Sequence, residues 1–276
     1  MSDRSKNSSF VKRCKSMLKV DFKRLFLSRT FYIIIASCLV APILILVMTT
    51  MMDGTVSVNP QTKEETVIEG FDNVWQIIGS VNNGQGDTTS EGNQQGMNMG
   101  LTAMCNINML YFAISALVCI FVSEDFRSGY CKNLFTVRAK KSDYVASKTI
   151  VLNLGAAIMV LAFILGSLIG GAVSGLPFEM VGFSVGELIM CFISKGALVG
   201  IFVPIYLIMS VIAKQRLWLS LVLSMAVGMF LFMMIPMLTP LNATFMNVLI
   251  CALGGTVFGI GLGAISNRIL KKTSLV

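Results

Sequence analysis

From Thr30 to Met52 the chain runs 23 residues without a charged side chain, and five more long apolar runs follow it. About 20 apolar residues match the hydrocarbon core of a bilayer, and inside lipid only a helix or a closed barrel satisfies its own backbone. The expected fold is therefore all-α and integral to a membrane, with six transmembrane helices at 30–52, 103–123, 149–173, 183–213, 217–238 and 245–266. Composition agrees: 55% of the 276 residues are hydrophobic and 13% are charged. The mean hydropathy of +0.77 is that of a chain solvated largely by lipid.

Charge orients the spans. Twenty of the 22 Lys and Arg residues fall in four pieces: 1–29, 124–148, the turn at Lys214 and Arg216, and the tail 267–276. Cytoplasmic loops carry such an excess, so both termini are expected inside. The segment 53–102 carries seven acidic residues, Asp53, Glu64, Glu65, Glu69, Asp72, Asp87 and Glu91, against Lys63 alone, and is expected outside. The basic leader 1–29 opens into an apolar run long enough to stay as a span, so that run itself is expected to direct insertion. The net charge of +8 sits beside the spans, which points to an anionic inner leaflet as partner and not to nucleic acid.

Before the first span, Val11, Cys14, Leu18, Phe22 and Leu25 recur at helical spacing beside Lys12, Lys15, Lys19, Lys23 and Arg24. This predicts a basic amphipathic helix on the inner membrane surface, unless the leader is merely solvated. In the outer segment, Val67, Phe71, Val74, Trp75 and Ile78 form a similar stripe, expected as an amphipathic helix on the outer leaflet or over a transport pathway. The Gly, Asn, Gln, Ser and Thr residues of 79–100 read as a mobile stretch. Ser142 is the expected N-cap of the third helix, with Asp143 in its first turn. Gly166, Gly170, Gly171 and Gly175, and likewise Gly255, Gly259 and Gly263, allow close helix approach, either within the subunit or at a dimer seam.

Much chemistry is excluded. There is no histidine, which removes His-based triads and imidazole relays. No Asp or Glu lies in the interior of a span, so a carboxylate-driven exchanger or intramembrane aspartyl protease lacks its groups. The seven cysteines are scattered without Cys-x-x-Cys spacing and read as small buried hydrophobes. No G-x-x-x-x-G-K-[ST] loop is present, so nucleotide hydrolysis by this chain alone is not expected. Ser194 and Lys195 are neighbours on different helix faces, which disfavours a Ser–Lys dyad. Lys195 lies about 18 Å below the outer end of its run. It is either a cation facing an anionic substrate or a side chain that snorkels or pairs with a helix-end carbonyl. The 19 methionines fill core gaps or form an adaptable surface for amphipathic cargo.

The loop 124–148 carries a family resemblance. Glu124, Gly129, Leu134, Arg138, Tyr144 and Lys148 resemble the cytoplasmic signature of ABC-2 type permeases, the membrane subunits of ABC exporters. An acidic residue closes span two, a short Gly-containing helix follows, and Tyr and Lys open span three. The basic elbow helix, six spans and long outer segment are similar too. Two departures stand out: Val137, Arg138 and Ala139 replace the Pro often found mid-loop, and 239–244 is too short for the outer re-entrant hairpin of several relatives. In general appearance the chain is similar to Gram-positive exporters of amphipathic peptides, of the bacteriocin-immunity and phenol-soluble-modulin types.

The resemblance implies a homodimeric permease in the plasma membrane of a bacterium, not catalytic itself. Each copy would rest the helix near 129–134 on a separate ABC ATPase subunit, which holds the ATP and Mg. Implied for ATPase coupling are Glu124, Asp125, Arg127, Gly129, Tyr130, Leu134, Arg138, Tyr144 and Lys148; implied for a substrate pathway are Lys195 and Trp75. No cofactor or metal is expected in this chain. A toxin-immunity or sensor membrane protein that does not transport, and an ATP-independent channel or carrier, remain as other readings.

Overall fold

A computed structural model describes residues 2–58, 65–67, 70–81, 105–137, 140–214, 216–232 and 234–272. Lys63, Arg138 and most of the Gly-rich stretch 79–100 lie outside the described residues. Among the described residues the chain is helical, with one short strand pair. The helices are α1 (Ser2–Leu27), α2 (Arg29–Met52), α3 (Leu110–Arg127), α4 (Tyr130–Val137), α5 (Lys141–Ser174), α6 (Val185–Ala213), α7 (Leu217–Phe232), α8 (Met234–Leu238) and α9 (Phe245–Lys272). Strands β1 (Val56–Val58) and β2 (Glu65–Val67) pair antiparallel, Val56 opposite Val67, an addition to the all-α expectation.

Among the described residues five helices are long and apolar enough to cross a membrane: Arg29–Met52, Ile107–Arg127, Lys141–Ser174, Val185–Ala213 and Phe245–Lys271. The expected fifth span, 217–238, is described as α7 and α8 on either side of Met233, which lies outside the described residues.

α5 is the central post, packed against α1, α2, α3, α6 and α9, while α6 packs on α3, α7 and α9. The glycines allow these approaches. A methyl group at Gly166 would overlap the Leu39 carbonyl of α2, and Gly200 of α6 faces Gly255 of α9 backbone to backbone. Gly166, Gly170, Gly171 and Gly255 thus serve contacts within the chain, whereas Gly259 faces open space. Two-thirds of the apolar window of α3 and of α6 is buried, against 6% for α9.

Two local expectations change. α5 starts at Lys141 with Lys140 as the cap residue, not Ser142. Asp143 still occupies the first turn, where Arg13 of α1 holds its carboxylate at 3.0 Å. The stripe at 67–78 is not an α-helix. After β2 the chain passes through Gly70, whose N–H donates to Asp53 Oδ1, and makes a 3-10 turn over Val74–Ile77. Asn73 Oδ1 accepts from Trp75 N, a local side-chain bond that competes with helix extension. Phe71, Val74, Trp75 and Ile78 are nevertheless buried, because the turn tucks into the bundle.

Candidate functional site

At one end of the bundle α3 leads through a turn at Ser128 and Gly129 into α4, and α5 follows after residues 138–139, which lie outside the described residues. α3 ends at Arg127, and Gly129 turns the chain with φ +72°, a left-handed conformation suited to glycine. α4 then lies with Cys131 buried, Leu134 and Phe135 packed on the core, and Lys132, Asn133 and Thr136 exposed.

Behind α4 sits a buried ionic cluster. Lys148 Nζ of α5 lies 2.9 Å from Asp21 Oδ1 of α1 and 2.7 Å from Asp125 Oδ2 of α3, and all three side chains are 0% exposed. Tyr144 donates to Asp125 Oδ2 at 2.9 Å, and Ser147 donates to Asp21 Oδ2 at 2.6 Å. Arg24 Nη1 stands 2.7 Å from Asp125 Oδ1, an ion pair by distance but without the alignment of a hydrogen bond. Two cations meet two carboxylates, so the cluster is neutral. Its walls are aromatic: Arg24 stacks 4.1 Å over the Tyr130 ring, and Lys148 lies 4.1 Å from that of Phe121.

Burial works against the Arg24 charge, but Asp125 outweighs it and holds the guanidinium above its ordinary value. Burial, with Asp125 beside it, pushes the Cys131 thiol up to about 12. Removing one partner from a buried ion pair costs about 3–5 kcal/mol, since the other charge is left uncompensated. The cluster therefore locks α1, α3 and α5 into one body, with Tyr130 at the start of α4 closing over it.

Of the residues expected to couple to an ATPase, Glu124 and Arg127 are exposed, and Gly129, Tyr130 and Leu134 are half-buried. Asp125, Tyr144 and Lys148 are buried. Arg138 lies outside the described residues. Lys12, Lys15, Lys19 and Lys23 are exposed, as a membrane-facing basic row requires. Lys19, Lys23 and Arg24 line a hollow of about 660 Å³ together with Arg29.

Asp21 was absent from the expectation, yet the spacing marks it. It falls three residues after Leu18 and four before Leu25, on the apolar stripe. The buried line of α1 is Met17, Asp21 and Leu25. A carboxylate on that face calls for a buried cation opposite.

At the other end is a cleft of about 1080 Å³ between the 70–81 segment, the start of α3, the start of α6 and the α8–α9 link. Both residues expected in a substrate pathway line it, Trp75 in the wall and Lys195 in the depth. Trp75 Nε1 donates to Phe178 O at 3.2 Å, and Leu241 N to Ser80 O at 2.9 Å, which pins the segment over the bundle. Lys195 is 0% exposed; its ammonium donates to Thr239 Oγ1 at 3.0 Å and Thr239 O at 3.2 Å. Tyr111 OH donates to the Lys195 carbonyl at 3.0 Å. The helix-end carbonyl foreseen for Lys195 is that of Thr239, just after α8. No carboxylate pairs with Lys195 among the described residues.

Among the described residues no three His, Cys, Asp or Glu side chains gather as a metal site. No protein-family model, curated protein or solved structure matches the chain.

Proposed function

We propose that this chain is the membrane-spanning subunit of an ATP-driven exporter, working as a pair of copies with a separate ATPase and moving amphipathic peptides out of a bacterial cell. The observation that carries the reading is α4, a short helix with an exposed polar face, held at its back by a neutral ion cluster that joins α1, α3 and α5. A force applied to α4 from the cytoplasm reaches three helices together, because bending the joint would separate buried charges. The basic end of the bundle faces inward by its charge excess, which puts α4 within reach of a soluble partner and the cleft on the outside.

The test is co-expression with ATPase subunits of the same genome. The complex is expected to survive purification, and Lys132→Glu with Asn133→Ala is expected to dissociate it without lowering the melting temperature of the chain. Retention of the ATPase by that variant would overturn the assignment. So would labelling of Lys132 only from the outer side, or uphill transport by the chain alone. A receptor that binds toxin without transport is the competing reading, favoured by the cleft alone. It gains if bound peptide leaves ATP hydrolysis in the complex unchanged.

A further inference from the structure

Three features of the cleft point to one kind of ligand. First, a buried ammonium lies in its depth with two N–H groups used on Thr239 and no counter-charge among the described residues. An anion beside such a lysine would stabilise the ammonium form, and a third N–H remains to bind one. Second, Asn108 lines the same cleft, is 5% exposed, and its Oδ1 accepts no hydrogen bond among the described residues. A buried acceptor left open costs roughly 1–3 kcal/mol, so it calls for a hydrogen-bond donor from outside the chain. Third, Asp72 and Glu179 line the cleft as exposed side chains, while Trp75, Phe183, Phe232 and Leu241 supply apolar wall.

An anion beside a hydrogen-bond donor, on an apolar body with positive charge further along, describes the end of a basic amphipathic peptide. We propose that the cleft binds the C-terminal residues of such a peptide. The terminal carboxylate accepts from Lys195, the last peptide N–H donates to Asn108 Oδ1, and the last apolar side chain lies against Trp75. A basic residue upstream meets Asp72 and Glu179. A phosphatidylglycerol headgroup satisfies Lys195, and its glycerol hydroxyls can donate to Asn108, but it brings no cation for Asp72 and Glu179 at the mouth. The choice of a peptide rests on the exporter reading; the anion subsite does not.

Trp75 makes the test direct, since the other tryptophan, Trp218, is 81% exposed on α7 and dispensable to the cleft. In a Trp218→Phe chain purified in neutral detergent without any ATPase, Trp75 emission is titrated with a tryptophan-free basic amphipathic peptide. The peptide is made as the free acid and as the C-terminal amide. The acid is expected to bind about tenfold tighter or better, the worth of one charge-assisted hydrogen bond. Lys195→Met is expected to erase that difference, and Asp72→Asn with Glu179→Gln to weaken both forms several-fold. Equal binding of acid and amide by the Trp218→Phe chain overturns the proposal without any change in the cleft. A preference that survives Lys195→Met overturns the role of that residue. Phosphatidylglycerol that shifts Trp75 and displaces the peptide reassigns the subsite to lipid. Acid-selective binding by a chain that recruits no ATPase would sink the exporter reading and leave this one standing.

Discussion

Lys148 and Lys195 are both withdrawn completely from solvent, yet Lys148 sits among two carboxylates and Lys195 meets only a threonine. The difference separates a joint from a binding site. Around Lys148, Asp21 and Asp125 balance the charge, Ser147 donates to the other oxygen of Asp21, Tyr144 donates to the Asp125 oxygen that Lys148 also meets, and aromatic rings close the walls. No charge is left for a ligand to balance. Around Lys195 the charge is unbalanced and a cleft lies beside it. The two places are also far apart. Asn108 stands at the start of α3 and Asp125 near its end, about 26 Å at the helical rise.

Replacing each lysine by methionine, which keeps the length and removes the charge, should have opposite consequences. Lys148→Met leaves buried Asp21 without its ion-pair partner and Asp125 with Arg24 as its cation, and is expected to destabilise the chain by about 3–5 kcal/mol. Lys195→Met removes an uncompensated ammonium but leaves the Thr239 carbonyl with only the weak Cys191 thiol as donor, and these effects oppose each other, so stability should change by less than about 1 kcal/mol. Thermal melts of both variants in one detergent check the contrast. Equal losses would erase the distinction between joint and site.

Within the joint, the hydroxyl of Tyr144 is the smaller test. Tyr144→Phe keeps the ring against Phe135 and removes only the bond to Asp125. Hydrogen bonds to charged groups contribute about 1.5–3 kcal/mol, so a loss in that range is expected. A loss below about 0.5 kcal/mol would mean that Lys148 and Arg24 satisfy Asp125 without it.

Much of this was legible in the sequence, and the failures have physical causes. The apolar runs announced their helices because lipid leaves the backbone few other choices. The loop 124–148 announced a short helix behind Gly129, although the burial of Lys148 was hidden: a lysine in a basic loop reads as exposed until Asp21 is noticed on the apolar face of α1. The stripe from Phe71 to Ile78 correctly marked buried residues and wrongly implied an α-helix, since Asn73 and Asp53 take up backbone N–H groups locally. The partner of Lys195 was beyond sequence reasoning. Thr239 is 44 positions away, just after α8.

The smallest effect concerns Cys131, which packs behind α4 against the joint. Burial raises its thiol to about 12 from an ordinary value near 9, and Asp125 adds to this, while Tyr144, Lys148 and Arg24 pull the other way without prevailing. An acid whose folded pKa lies above its unfolded one disfavours the folded chain once the unfolded thiol ionises. Below pH 9 both states hold the proton and the thiol contributes no pH dependence; between about 9 and 12 the unfolded state alone loses it, and stability falls as pH rises. At pH 8 an uncharged alkylating reagent should therefore modify half-buried Cys105 and leave Cys131 untouched until the chain is denatured. Modification of Cys131 as fast as Cys105 would show that α4 swings free of the cluster, and then no buried charge could carry its motion to α1, α3 and α5.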